Sequence, residues 1–212
     1  FLPEALFNYL VLLGWSPPDE REIMTREEII SLFSLDRISK SGAVFDITKL
    51  KWMNGQYIRK FDEAQFYEIV LPYVSQENLA GLSKYSPEKL AKILFSVRDN
   101  LDILSEINNY LEVYIDNFEE YKKNISELNF SEQELDVLQT FKSLLQDFSS
   151  VLDRTEISNM IDSILASKGL GKGKVMKPVR FACAGRKSGP DLFEFLSILG
   201  KETLLERLEY LL

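Results

Sequence analysis

The chain has no histidine among its 212 residues and only one cysteine, Cys183. Without histidine, imidazole general acid–base catalysis, Ser-His or Cys-His nucleophilic pairs and most zinc sites are excluded. With one cysteine no disulfide can close within the chain, which fits a cytoplasmic origin. Cys183 is flanked by Phe181, Ala182 and Ala184 and reads as a small buried hydrophobe rather than a reactive thiol. No apolar run approaches the roughly 18 residues that a membrane-spanning helix needs. No basic leader with an apolar stretch and a cleavage site stands at the start. The phosphate-loop pattern G-x-x-x-x-G-K-[ST] is missing too. Residue 1 is Phe, inside an apolar pattern, and reads as a cut within a longer protein.

What is present is apolar and acidic. Hydrophobic residues make up 45% of the chain, enough for a packed core. The net charge of −8 argues against a general nucleic-acid binder, and no DNA is expected as a partner. The charge is unevenly spread. Asp62 to Glu120 holds twelve acids and four bases. Lys168 to Lys187 holds seven bases and no acid: Lys168, Lys172, Lys174, Lys177, Arg180, Arg186 and Lys187. Arg37 to Lys60 holds six bases against Asp46 alone. An acidic protein with two basic islands can hold a polyanion at chosen places and repel it elsewhere. The many paired carboxylates lie on charged helix faces and read as solvated surface, so no catalytic and no metal-binding residue is assigned.

The periodicity is helical almost throughout and predicts an all-α fold of about ten helices. Leu2 to Trp15 is apolar on most faces, and Pro17-Pro18 stops it. Thr25 with Glu28, and Ser131 with Glu134, have capping-box spacing. Asp46 can cap a helix from Ile47 to Gly55, and Ser86 with Pro87 marks another start. Asp62 to Val74 and Ser75 to Leu82 read as helices broken near Pro72. A helix is expected over 101–110, and 111–121 reads as part loop, part helix. Gly169 to Gly173 reads as a flexible loop, followed by a short helical turn after Pro178. Gly189-Pro190 opens a helix from Asp191 to Leu199, Gly200 ends it, and Glu202 to Leu212 is the last. Trp52 is expected in the core with Met53.

Three segments resemble the bacterial glutamyl-tRNA synthetase family. The first is Leu2-Pro3-Glu4-Ala5-Leu6 with Asn8-Tyr9-Leu10 and Leu13-Gly14-Trp15. The second is Ser41-Gly42-Ala43-Val44-Phe45-Asp46, then Lys49 to Gly55, and Tyr57-Ile58-Arg59. The third is Lys177-Pro178-Val179-Arg180, Gly185, Gly189-Pro190 and Leu199-Gly200-Lys201-Glu202. The family's catalytic domain carries two ATP-binding signatures, and neither is here. Ile38-Ser39-Lys40-Ser41 looks like K-M-S-K-S but stands after the L-P-E-A-L segment, where the family's ATP loop stands before it. It reads as a loop between helices.

The resemblance implies a stem-contact domain over residues 1–75. It implies an anticodon-binding domain over 76–212, in two helical subdomains of about 76–125 and 126–212. The partner it implies is tRNA(Glu), with tRNA(Gln) left open. The fragment is expected to be a monomer without a cofactor; ATP and Mg belong to the parent enzyme. Arg180 matches the family position that contacts the first anticodon base, and a planar guanidinium can stack on a base and donate to it. Gly189, Pro190 and Leu192 match the turn that packs on anticodon nucleotides, beside Lys177. Asn100 falls where the family has an arginine that reads the third anticodon base, and Arg98 stands two residues earlier. An asparagine lacks the charge and reach of arginine, so strict separation of the two tRNAs is in doubt. Lys40, Lys51, Arg59, Lys168, Lys172, Lys174, Arg186 and Lys187 are candidates for phosphate contacts. The alternative is an all-α protein-interaction module that does not bind RNA.

Overall fold

The computed structural model describes residues 1–39, 42–115, 118–126 and 128–212. Among them it contains twelve α-helices and no strand, so the fold is all-α. A lone antiparallel bridge joins Trp15 and Ile38. The helices form two compact units. One comprises Phe1–Val74 and Arg98–Asn109, the other Ser75–Val97 and Tyr110–Leu212.

The first unit is built on α1 (Pro3–Leu12), α2 (Arg26–Leu32), α3 (Ile47–Ile58) and α4 (Glu63–Val70). Proline at the first helical position starts α1. Leu2 offers no capping side chain, but its N–H donates to Asn54 Oδ1 on α3, 2.7 Å away. Asp46 caps α3 by accepting from the N–H groups of Thr48 and Lys49. Its own N–H donates to the Tyr9 hydroxyl at 2.6 Å. Two core clusters result. Tyr9, Leu50 and Met53 make one; Trp15, Met24 and Ile29 make the other. Asn8 is buried and accepts from the Met24 N–H. The Tyr57 hydroxyl lies 2.7 Å from Asn8 Oδ1 and 2.5 Å from the Met24 carbonyl. Burial holds that phenol above its ordinary pKa.

One expectation fails here. Trp52 is 42% exposed, because α3 buries Leu50, Met53, Asn54 and Ile58 and Trp52 points the other way. Residues 98–109 close the unit through 3-10 turns at Arg98–Asn100 and Leu104–Ile107. The second replaces much of the helix expected over 101–110. Gly55 makes the close approach possible: a Cβ there would sit 3.1 Å from the Leu101 carbonyl.

The second unit contains α5 (Gln76–Gly81), α6 (Pro87–Ser96), α8 (Phe118–Ser126), α9 (Glu132–Asp147), α10 (Arg154–Lys168), α11 (Lys172–Ala184) and α12 (Leu192–Leu211). The short α7 (Asn108–Leu111) stands where the chain passes from one unit to the other. Helices α9 to α12 pack on one another around Phe141, Leu145, Ile161, Val179, Phe195 and Leu208. Burying each such side chain stabilises by about 1.5–3 kcal/mol.

The start of α9 has the reciprocal box its sequence predicts. The Glu134 N–H donates to Ser131 Oγ, and the Ser131 N–H donates to the Glu134 carboxylate at 2.9 Å. The Ser131 N–H, and then its hydroxyl, hold the Glu134 carboxyl below its ordinary pKa. This stabilisation is therefore present at neutral pH and lost as pH falls through the lowered value. Ser131→Ala is expected to lower stability by about 1 kcal/mol, read by urea denaturation at pH 7.

Two differences matter for the site. The stretch read as a glycine loop followed by a short turn is instead the break between α10 and a continuous 13-residue α11 with Pro178 inside it. Gly169 ends α10 in the left-handed conformation (φ 62°), and Gly171 begins α11. In the last helix, Gly200 has φ 81° and interrupts the run from Leu192 to Leu211, as its sequence predicts.

Candidate nucleic-acid interface

Helix α11 sorts its residues by side. Val175, Pro178, Val179, Ala182 and Cys183 are buried against the bundle. Lys174 and Lys177, three residues apart, are exposed, and so is Lys172 in the first turn. No ion pair engages Lys172, Lys174, Lys177 or Lys187 among the described residues. The first turn of α11 has no acidic residue and no side-chain cap. Burial pushes the Cys183 thiol up to about 12, so it stays protonated at neutral pH, as its apolar neighbours predict.

Arg180 stands one turn beyond Lys177, half-buried. Its Nη2 donates to the Pro190 carbonyl at 2.8 Å, tying α11 to the turn before α12. Its Nη1 is buried and has no hydrogen-bond partner among the described residues. Burial lowers the guanidinium's pKa, while Asp191 and Tyr114 act to raise it. Asp191 is the N-cap of α12 and accepts from the Glu194 N–H at 3.0 Å. Arg154, at the start of α10, donates to the same carboxylate. One end of the bundle thus gathers α11, the turn at 185–190 and the start of α12 around Arg180.

Gly185 closes α11 with φ 65°, and a Cβ there would touch Tyr121 and Asn124 at 3.4 Å. Gly189 lies against Arg180: a Cβ at that position would be 3.4 Å from Nη1. Pro190 and Leu192 are buried, so they shape this turn by packing.

Five of the other predicted cations, Lys168, Arg186, Lys51, Arg59 and Arg98, are already engaged. Lys168 pairs with Asp136 at 2.5 Å, and Arg186 pairs with Glu112. In the first unit Lys51 pairs with Glu106 at 3.4 Å. Arg59 donates to the Asp99 carbonyl and pairs with Asp102. Arg98 donates to the Phe61 carbonyl at 2.7 Å and to the Asp99 carboxylate at 2.8 Å. Asn100, half-buried, shares its 3-10 turn. Lys40 lies outside the described residues. The structure therefore assigns Arg98 and Asn100 to the first unit, and Arg180 with its lysines to the second. Spacing alone could not have revealed the partners Asp136, Glu112 and Asp191.

The sequence has counterparts among known families. The family model described as "Anticodon binding domain" matches residues 65–212, well over half of the chain. A second model, the catalytic domain of class I tRNA synthetases (E and Q), matches residues 1–52. The chain belongs to the anticodon-binding domain family. It is 35% identical to the glutamate–tRNA ligase of Bacillus subtilis over 211 residues, covering 99% of this chain and 44% of that protein. It is 35% identical to the glutamate–tRNA ligase of Mesoplasma florum over 208 residues, covering 97% and 42%. A crystal structure of a glutamate tRNA ligase from Elizabethkingia meningosepticum, in complex with its amino acid, superposes with a TM-score of 0.69 at 29% identity. That match covers all of this chain and 41% of the other. The chain thus spans less than half the length of these relatives.

Proposed function

We propose that this chain grips the anticodon loop and inner bend of tRNA(Glu), so that a catalytic domain outside it can join glutamate to that tRNA with ATP. The observation that carries the reading is the end of the second unit described above. Four lysines without ion partners among the described residues, Lys172, Lys174, Lys177 and Lys187, stand with Arg180 in the stretch matched by the anticodon-binding family. Lysines suit phosphates as point charges, and Arg180 suits a splayed base as a flat donor. Gly189 allows close approach, with Pro190 and Leu192 holding the turn. Lys168 and Arg186 would have to leave Asp136 and Glu112 to join them, so they would contribute less than the four lysines.

In the first unit, Arg98 and Asn100 would meet the third anticodon base, and Lys40, Lys51 and Arg59 the backbone of the bend. Residues 1–75 would act as the stem-contact domain and 76–212 as the anticodon-binding domain. Asn100 in place of arginine leaves tRNA(Gln) as a second partner. Among the described residues no three Asp, Glu, His or Cys side chains converge as a metal site. ATP and Mg are assigned to the part of the relatives that this chain does not span. The fragment itself would bind without catalysing, as a cytoplasmic monomer.

Arg180→Ala is expected to weaken tRNA(Glu) binding by about 1–3 kcal/mol, measured by filter binding at fixed salt. Unchanged affinity would remove Arg180 from the contact. Glutamate-dependent ATP–pyrophosphate exchange by this chain alone would contradict the non-catalytic assignment.

A further inference from the structure

Three of the four basic residues in the acidic stretch Asp62 to Glu120 fall together at the start of α6: Lys84, Lys89 and Lys92. Lys84 precedes the helix, Lys89 stands in its first turn, and Lys92 follows three residues on, so the last two share a face. The Lys84 and Lys89 ammonium groups each lie 5.2 Å from the centroid of the Tyr85 ring. That ring is held in place, because its hydroxyl donates to the Tyr114 carbonyl at 2.9 Å. Two cations on one ring repel each other, and the positive end of the helix dipole adds to the repulsion. Burial, and then Lys84, hold the Lys89 ammonium below its ordinary pKa, with Glu202 acting the other way. An anion bound there would relieve all three effects.

Lys89 and Lys92 line a hollow of about 530 Å³, within the roughly 300–1,000 Å³ of ligand sites. Its apolar lining is Leu152 and Ile198, both buried, and Val151, which is 85% exposed. Acidic side chains line it as well, but each is committed locally. Glu88 accepts from its own backbone N–H and from the Ser86 hydroxyl, which hold its carboxyl below the ordinary range. Asp153 caps α10 by accepting from the Glu156 N–H at 2.9 Å. Glu194 lies 4.0 Å from Arg154. That leaves Lys89 and Lys92 as the cations of the hollow that no ion pair engages among the described residues. The hollow also adjoins the Arg180 site. Arg154 lines it and donates to Asp191, next in the chain to Pro190, whose carbonyl holds Arg180.

We propose that this hollow holds a phosphodiester stretch of the RNA that Arg180 meets, with Lys89 and Lys92 on its phosphates and Val151 against its sugar carbons. The proposal rests on the reading of the chain as a tRNA binder. Titrating labelled tRNA(Glu) from 50 to 400 mM salt tests it. Lys89→Gln with Lys92→Gln is expected to weaken binding about tenfold near 0.1 M salt and to flatten the slope of log affinity against log salt by about 1.4–1.8. Lys89→Arg with Lys92→Arg keeps both charges and is expected to keep the slope. A second measurement needs no substitution and does not depend on a variant folding. In the unsubstituted chain, tRNA(Glu) is expected to slow acetylation of Lys89 and Lys92 by an amine-reactive ester several-fold, read by mass spectrometry. Binding of tRNA with an unchanged slope in the glutamine variant, or with both lysines acetylated as fast as without RNA, would overturn this inference alone. Failure of the unsubstituted chain to bind tRNA would remove the functional reading and this inference with it. Protection of both lysines by a polyglutamate peptide, as strong as that by tRNA, would make an acidic protein segment the occupant and would overturn the inference too.

Discussion

Replacing Lys172, Lys174, Lys177 and Lys187 together with glutamine is expected to weaken binding of tRNA(Glu) about 10²–10³-fold near 0.1 M salt. The reasoning is electrostatic. Each lysine that neutralises a phosphate releases condensed counterions, and each contributes about 0.7–0.9 to the slope of log affinity against log salt. Removing four contacts should flatten that slope by about 3. The substitution leaves the bundle intact, because the four side chains are exposed and no ion pair engages them among the described residues. The same replacement at Lys168, Lys51 and Arg59 is expected to change the slope far less, since each already has an acidic partner. A titration of labelled tRNA from 50 to 400 mM salt separates the two sets. If the paired set matters as much as the unpaired one, the division of labour drawn from the ion pairs is wrong.

The second large effect concerns folding of the first unit. Asn54→Ala is expected to lower its stability by about 2–4 kcal/mol, read by urea denaturation. Asn54 is fully buried on α3, and its amide makes two bonds to distant chain segments. Oδ1 accepts from the Leu2 N–H at 2.7 Å, and Nδ2 donates to the Asp102 carbonyl at 2.6 Å. Truncation leaves both backbone groups without their partner; an unmet buried donor or acceptor costs about 1–3 kcal/mol. The start of α1 and the 98–109 segment would loosen together, so amide exchange should rise at both places. Thr48→Ala, on the exposed side of the same helix, should stay within about 0.5 kcal/mol of the parent. Equal effects of the two substitutions would show that Asn54 is not the tether.

What the sequence made legible was local. Thr25 with Glu28 and Ser131 with Glu134 form the reciprocal boxes their spacing predicts, and Asp46 and Ser86 cap where expected. Caps act within one turn, so a few residues determine them. The 13-residue α11 escaped notice because Gly171, Gly173 and Pro178 each argue against a helix. Its buried side, Val175, Val179, Ala182 and Cys183, outweighs those penalties by packing on α9 and α12. The exposure of Trp52 was equally hidden, because which side of α3 faces inward is set by α1. The return of residues 98–109 to the first unit rests on Asn54, Arg59 and Arg98, bonds that span about 40 positions and leave no local trace.

The candidate site divides in the same way. A run of seven cations with no acid was visible as composition, but its sorting into paired and unpaired members was not. That sorting depends on Asp136 and Glu112, which lie 32 and 74 positions from their partners. The Arg180–Pro190 bond spans only ten positions and keeps the arginine beside the turn that the family resemblance singles out.

The most direct test is equilibrium binding of the 212-residue chain to transcribed tRNA(Glu), compared with the same tRNA carrying a replaced anticodon loop, at several salt concentrations. The account predicts saturable, steeply salt-dependent binding to the first and at least tenfold weaker binding to the second. Equal affinity for the two RNAs, or no salt-dependent binding to either, would contradict it.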